Sequence, residues 1–214
     1  MRKDMLPGMI RVTGIKDKKG HRTGMFADGE LDWHSNQQSD NDGYAPLIGL
    51  QGVEGTEGSS TEFLQTVDAL NDLETDTRSE VEQLIAIHSF GADRISRGTS
   101  KSQALITNLQ LVPEDNTEMP VLAIAPNGDK GMHFPWTSIV GFKDYTQEEF
   151  KKLFNYLVEH LWQDKYVYKH MWQDGEIVWM DQIVTLHRRP GSDTSKRLLP
   201  VSYTHLRAHE TEEN

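Results

Sequence analysis

Two short strand-like segments, far apart in the chain, each end in a histidine, and this repeated arrangement constrains the fold more than any other sequence feature. The first segment is Leu31-Asp32-Trp33-His34, and the second runs from Gly175 to His187. Successive side chains of a strand point to opposite faces, so His34, Asn36 and Asp32 are predicted to share a face. The best candidate to join them from a second strand is His187.

The remaining patterns predict a mainly β domain with flanking helices. Further strands are predicted from apolar runs, and three helices from apolar spacing and from capping boxes, in which Thr77 precedes Glu80 and Thr146 precedes Glu149. The stretch from Phe90 to Asp115 is weakly patterned and is interpreted as a loop. The predicted strands are Tyr44–Val53, Pro120–Ala125 and Tyr166–His187, and the first helix is Glu62–Leu73.

Composition excludes several classes of partner and site. The 214 residues suit one domain, and the net charge of −11 argues against nucleic acid or an anionic membrane as partner. The chain has no cysteine, which excludes disulfides and thiolate metal sites. Its sequence holds no apolar run long enough for a transmembrane helix, and a cytoplasmic location is expected.

The histidines suggest a metal centre. Non-heme Fe(II) oxygenases take three protein ligands on one face of the metal and leave the other face open. His34 and His187 supply two imidazoles, and Asn36 stands where a third ligand is expected. Either histidine alone would equally suit a buried, hydrogen-bonded core position. The pair together with its neighbours favours the metal site.

Four motifs occur in an order that resembles a known family. They are Trp33-His34-Ser35-Asn36, the turn Gly58-Ser59-Ser60-Thr61, the segment Gly175–His187, and Arg197. This series resembles the taurine/2,4-D dioxygenase-like (TauD/TfdA) family of Fe(II)- and 2-oxoglutarate-dependent oxygenases. The resemblance covers roughly residues 20–199 and implies a double-stranded β-helix, or jelly roll.

The resemblance implies a role for each matching residue. His34, Asn36 and His187 would be the catalytic metal ligands, and Thr61 and Arg197 would bind the co-substrate 2-oxoglutarate. The partners would be O2 and a small polar metabolite, which would be hydroxylated with release of succinate and CO2; a homo-oligomer is left open. Simpler interpretations are a helix N-cap for Thr61 and a surface position for Arg197. Asp181 is interpreted as structural, accepting a backbone hydrogen bond.

One departure from the family pattern bears on activity. Asn36 replaces the carboxylate of the first motif, and a neutral amide oxygen holds Fe(II) more weakly than an anion does. Asp32 or Asp40 could supply a carboxylate instead. A small residue at this position in related halogenases leaves room for chloride, and Asn36 is larger. The alternatives are a metal-poor relative that binds small acids and a structural jelly roll with incidental histidines.

Both ends of the chain depart from the pattern. The first motif begins close to the N-terminus, so the domain is expected to be incomplete at both ends. A domain is predicted over residues 1–199, followed by a tail over 200–214 that is foreign to the family and expected to be disordered or artefactual. The arginine that family members carry shortly after the position of Arg197, on the substrate side, is missing.

Overall fold

A computed structural model of the protein describes residues 9–21, 23–24, 30–36, 46–89, 116–191 and 197–204. Within these ranges most of the regular structure is antiparallel β, with three α-helices. The strands are β1 (Met9–Thr13), β2 (Leu31–His34), β3 (Leu47–Gln51), β4 (Ser60–Gln65), β5 (Ile85–His88), β6 (Thr117–Pro120), β7 (Leu122–Ile124), β8 (Lys130–Met132), β9 (Ile139–Phe142), β10 (Val167–Met171), β11 (Ile177–Asp181), β12 (Thr185–Arg189) and β13 (Leu198–Thr204). The helices are α1 (Thr66–Asn71), α2 (Thr75–Val81) and α3 (Gln147–Leu161).

Two four-stranded antiparallel sheets form the centre of the fold. The first sheet has the order β1-β13-β3-β11 and the second the order β10-β4-β12-β2. A cluster of buried side chains joins them, with Ile48, Leu50 and Leu199 from the first sheet and Phe63 from the second. Strands adjacent in space are mostly remote in sequence, as a jelly roll requires. The predicted mainly β jelly roll with flanking helices is confirmed.

The helix α3 covers the main core. Thr146 caps it, and the Thr146–Glu149 capping box predicted from the sequence is present. The apolar residues of this helix recur at helical spacing and are buried on one face, where each contributes about 1.5–3 kcal/mol relative to exposure. They are Phe150, Phe154, Leu157, Val158 and Leu161.

Two smaller sheets complete the β structure, with the orders β6-β5-β9 and β7-β8. The loop predicted over Phe90 to Asp115 lies outside the described residues. None of the helices in the part of the chain that the structure describes is long and apolar enough to span a membrane.

Strand β13 continues past the boundary predicted at residue 199, as far as Thr204. Val201 pairs with Ile10 on one side and with Leu50 on the other, so the chain here lies between two strands rather than outside the sheet. The Val201 side chain is 5% exposed. Residues 200–204 thus belong to the first sheet, and 205–214 are not described.

Candidate functional site

A pocket lies between the two sheets and contains every site residue predicted from the sequence. The first sheet contributes apolar side chains and the second contributes polar ones apart from Leu31, while Asn36 and Arg197 adjoin the strand ends. The lining residues are Val12, Leu31, His34, Asn36, Leu50, Thr61, His187, Arg188, Arg189, Arg197, Leu199 and Val201. This lining contains no acidic residue, so the pocket is positively charged.

The two histidines face each other across neighbouring strands. His34 of β2 and His187 of β12 are register partners, and their ring centroids lie 4.1 Å apart with the planes tilted by 43°. The pairing of β12 with β2 changes register between His187 and Arg189, as at a β-bulge or similar irregularity next to the pair. Bulges of this kind re-aim side chains beside functional sites. The strands predicted to meet at a histidine pair do so.

Both imidazoles are held in the neutral form that binds metals. Burial lowers the pKa of His34, with a smaller effect from the positive charge of Arg189. Burial lowers the pKa of His187 further, and the neighbouring His34 adds to this effect. The Nδ1 atom of His34 lies 2.6 Å from the Asp32 carbonyl oxygen, which can only accept, so Nδ1 carries the proton. Nε2 of His34 therefore keeps its lone pair, as in a metal-binding histidine oriented by a carbonyl.

Asn36 lines the same pocket from the end of β2. Its backbone N–H donates to Oε1 of the buried Gln182 at 3.0 Å, which ties the first motif to the distal one. The carboxylate of Asp32 is engaged elsewhere, because it accepts from the Trp33 backbone at 2.8 Å and from Nε1 of Trp136 at 3.3 Å. Asp32 is therefore a poor substitute ligand, and Asp40 lies outside the described residues.

The structure contains no group of three His, Cys, Asp or Glu side chains placed to hold a metal, within the ranges it describes. The candidate centre consists of two histidines and an amide. This donor set is compatible with Fe(II), because imidazole and carbonyl-type oxygen are both ligands of first-row metals. It lacks the negative charge that a carboxylate would add.

Arg197 is buried, which excludes the alternative of a surface arginine. Its carbonyl oxygen accepts a hydrogen bond from the Thr13 hydroxyl, which ties the backbone at the start of β13 to β1. Within the described part of the chain, neither Nε nor Nη1 of its guanidinium has a hydrogen-bond partner. Burial, together with the nearby charge of Arg189, lowers the pKa of Arg197 to about 10. A buried cation with free donors is costly unless an anion pairs with it, so the site fits a carboxylate ligand.

Thr61 lies within β4, its side chain is buried, and it lines the pocket. The alternative that it caps a helix is wrong, because Gln65 caps α1 through its side chain. The Thr61 hydroxyl oxygen accepts a hydrogen bond from Nε1 of Trp172 at 2.9 Å. The predicted structural role of Asp181 is confirmed, since its Oδ1 accepts from the Ile183 backbone at 2.8 Å.

A charged cluster behind the histidines was not predicted. Nε and Nη2 of Arg188 both contact Oε2 of Glu62, and the guanidinium lies 5.0 Å from the Trp33 ring centroid and 4.7 Å from that of Trp162. Such contacts combine an ion pair with cation–π attraction. The cluster thus connects Trp33, which precedes His34, with Arg188, which follows His187. Its only signal in the sequence is the adjacency of Trp33 and Arg188 to those histidines.

Comparison with protein families gives a match over residues 8–203 to the model described as "Taurine catabolism dioxygenase TauD, TfdA family". The chain belongs to this family. Comparison with curated protein sequences finds no significant match.

Solved structures agree with the TauD/TfdA assignment at the level of the fold. A taurine dioxygenase from Burkholderia xenovorans superposes with a TM-score of 0.66 at 17% identity, covering 94% of this chain and 63% of that one. AAD-2, in complex with Mn(II) and N-oxalylglycine, superposes with a TM-score of 0.64 at 23% identity, covering 80% of this chain and 66% of its own. The chain thus spans somewhat less than two thirds of the length of these neighbours.

Proposed function

We propose that this TauD/TfdA family member is an Fe(II)- and 2-oxoglutarate-dependent dioxygenase that hydroxylates a small polar metabolite and releases succinate and CO2. The observation that carries the proposal is the pocket itself. It brings a buried His187 and a partly buried His34, both neutral, together with a buried arginine whose guanidinium retains free donors. Two histidines that can bind a metal and an arginine that can bind an anion lie in one pocket. This combination fits a 2-oxo acid that is bound to the metal.

His34 and His187 would hold Fe(II) through neutral imidazole nitrogens, with the amide oxygen of Asn36 as a third and weaker ligand. When bound there, Fe(II) would couple oxidative decarboxylation of 2-oxoglutarate to oxidation of a substrate C–H bond by O2. The Asp32 carbonyl fixes the tautomer of His34, and Gln182 fixes the backbone of Asn36. These contacts keep the ligands oriented without further rearrangement on binding.

Arg197 would pair with the distal carboxylate of 2-oxoglutarate, because a planar guanidinium matches a carboxylate with two parallel hydrogen bonds. Thr61 would donate its hydroxyl proton to the same carboxylate. The apolar side chains Val12, Leu50, Leu199 and Val201 would exclude water from this end of the pocket and strengthen both interactions. AAD-2 was crystallised with N-oxalylglycine, a close analogue of 2-oxoglutarate, which supports the assignment for this chain.

The other partners follow from the chemistry and the charge. O2 and a small polar metabolite are the proposed reactants beside 2-oxoglutarate. A net charge of −11 disfavours nucleic acid and anionic membranes as partners. A cytoplasmic location is part of the same proposal.

A second candidate function is a metal-poor relative that binds small acids without turnover. The neutral Asn36 at the third ligand position favours it. The cationic pocket around Arg197 and Arg189 would serve such binding equally well. Iron content is the property that separates the two candidates.

The proposal is tested by anaerobic titration of the protein with Fe(II) and 2-oxoglutarate. A visible metal-to-ligand charge-transfer band is expected only when both are present, and succinate should form once O2 is admitted. Zn(II) in place of Fe(II) is the control, because it cannot give the band. Binding of 2-oxoglutarate without metal and without succinate would support the second candidate, and binding of neither ligand would contradict both.

A further inference from the structure

We propose that Trp172 is a positioning residue that aims the hydroxyl proton of Thr61 at the distal carboxylate of 2-oxoglutarate. This inference rests on the proposed function and concerns the same pocket. Trp172 does not line the pocket; it acts through Thr61, which does.

The direction of one hydrogen bond carries the argument. The indole N–H is a donor and cannot accept, so the 2.9 Å contact between Nε1 of Trp172 and Oγ1 of Thr61 must have Thr61 as acceptor. A hydroxyl has a single proton, and this contact leaves that proton to be donated elsewhere. No acceptor among the described residues receives it. The pocket is the remaining direction, so Thr61 is prepared to donate to an anion.

Trp172 is itself fixed from several sides, which a positioning residue requires. Its side chain is 2% exposed, and its backbone N–H donates to the Ser59 carbonyl at 3.0 Å. The ring of His170 meets its ring edge to face at 4.5 Å between centroids. Gly52 packs so closely that an added Cβ would lie 3.1 Å from Cε3 of Trp172. The indole therefore has little freedom to turn away from Thr61.

The consequence is that Thr61 needs no reorientation when the carboxylate arrives. One of the two Oγ1 lone pairs is occupied by the Trp172 N–H, which fixes that side of the hydroxyl and leaves its proton unengaged for an incoming anion. Arg197 supplies the charge at this end of the pocket, and Thr61 supplies a donor whose proton Trp172 cannot accept. Preorganised donors of this kind raise affinity by lowering the cost of ordering on binding.

A double-mutant cycle tests the inference, with dissociation constants for 2-oxoglutarate measured anaerobically on the Fe(II) protein. Trp172→Phe keeps the ring and removes the N–H, and should raise Kd by about 3- to 10-fold, as expected for one hydrogen bond. Fe(II) affinity should stay unchanged. In a Thr61→Val background, Trp172→Phe should have no further effect. Trp179→Phe, at an exposed tryptophan of β11 that does not line the pocket, is the matched control.

An equal effect of Trp172→Phe in both backgrounds would show a merely structural role and overturn the inference. So would an unchanged Kd. Arg197→Ala, measured in parallel, keeps the outcomes separable. If Arg197→Ala weakens 2-oxoglutarate and Trp172→Phe does not, the inference fails and the proposed function stands. If the wild-type Fe(II) protein binds no 2-oxoglutarate, the proposed function itself fails.

A second measurement does not depend on how Trp172→Phe folds. In wild-type protein carrying Zn(II) and ¹⁵N-labelled tryptophan, the Nε1–H resonance of Trp172 should shift when 2-oxoglutarate is added. Pyruvate, a 2-oxo acid without the distal carboxylate, should leave it in place. The shift should be lost in Thr61→Val. A Trp172 resonance that responds equally to both acids would contradict the inference.

Discussion

His34 and His187 are register partners on adjacent antiparallel strands, with ring centroids 4.1 Å apart, although they lie near opposite ends of the chain. Their strands are joined in the second sheet with β4, which carries Thr61. One sheet therefore presents the two candidate histidine ligands and one candidate co-substrate contact. The first sheet closes the pocket, and Arg197 immediately precedes its strand β13.

His187→Ala is expected to abolish measurable Fe(II) binding while leaving most of the fold intact. Removing a direct ligand should lower Fe(II) affinity by more than the roughly 10- to 100-fold that is typical when a residue hydrogen-bonded to a ligand is removed. Isothermal titration with Fe(II) under anaerobic conditions measures this, with circular dichroism as the check on folding. His21→Ala, at an exposed position, is the control. Full Fe(II) affinity in His187→Ala would remove His187 from the site.

Arg197→Ala should weaken 2-oxoglutarate by about 2–5 kcal/mol, the cost of leaving one partner of a desolvated charge pair alone. Fe(II) affinity should change little. Arg197→Lys should restore only part of the loss, because an ammonium cannot form the planar two-bond contact. Anaerobic titration of the Fe(II) protein with 2-oxoglutarate measures the affinity of wild type, Arg197→Ala and Arg197→Lys. Arg78→Ala provides a surface control. Equal affinities in wild type and Arg197→Ala would exclude the assignment.

Asn36→Asp should tighten Fe(II) binding and increase succinate formation, including turnover uncoupled from substrate, because an anionic oxygen replaces a neutral one. The two side chains are nearly isosteric, so the fold should tolerate the change when the metal is present. Without a metal, a partly buried carboxylate would destabilise the protein or take up a proton. Fe(II) affinity and melting temperature are measured together. Lower stability with no gain in iron would favour the metal-poor alternative.

The sequence predicted that His34, Asn36, Thr61, His187 and Arg197 come together better than it predicted the local structure around them. The capping box of Thr146 and Glu149 is a purely local signal, and α3 begins where it predicts. The predicted helix Glu62–Leu73 is wrong over its first part, because Glu62 to Gln65 pair with β12 and extend β4. Sheet pairing with a remote strand overrides local helical spacing there.

The Thr77–Glu80 capping box is also wrong. The helix α2 already includes Thr77, and its N-cap residue is Glu74, which makes no side-chain cap. The contacts of Trp172 with Thr61 and of Gln182 with Asn36 join residues more than a hundred positions apart. Their direction depends on three-dimensional packing, so spacing along the chain could not have indicated them.

Acidification should destabilise the protein, and the pH range in which stability falls is set partly by His88. Burial, with a further effect from His133, lowers the pKa of His88 to about 3. The unfolded chain binds a proton at about pH 6.5 and the folded chain does not, so stability falls as pH drops from about 6.5 towards 3. One such group contributes a slope of up to about 1.4 kcal/mol per pH unit. Urea unfolding at several pH values should show a shallower slope in His88→Gln, and an unchanged slope would contradict this role.

Truncation after Pro200 should lower the melting temperature, whereas truncation after Thr204 should not. The first cut removes Val201, whose buried side chain contributes about 1.5–3 kcal/mol, together with its pairing to Ile10 and Leu50. The second cut leaves β13 whole and serves as the control. Thermal unfolding of both proteins compares them directly. Equal melting temperatures would show that residues 201–204 contribute nothing to the sheet.

The position of β13 between β1 and β3 also determines when the first sheet can assemble. Among the described strands, β13 is the sole partner of β1. During synthesis β1 leaves the ribosome before β13, and its hydrogen-bonding edge stays open until Leu198–Thr204 has followed. Contacts of such long sequence separation slow folding. Between the synthesis of β1 and that of β13 the nascent chain therefore carries an unpaired strand edge, and this interval is when it is most exposed to aggregation.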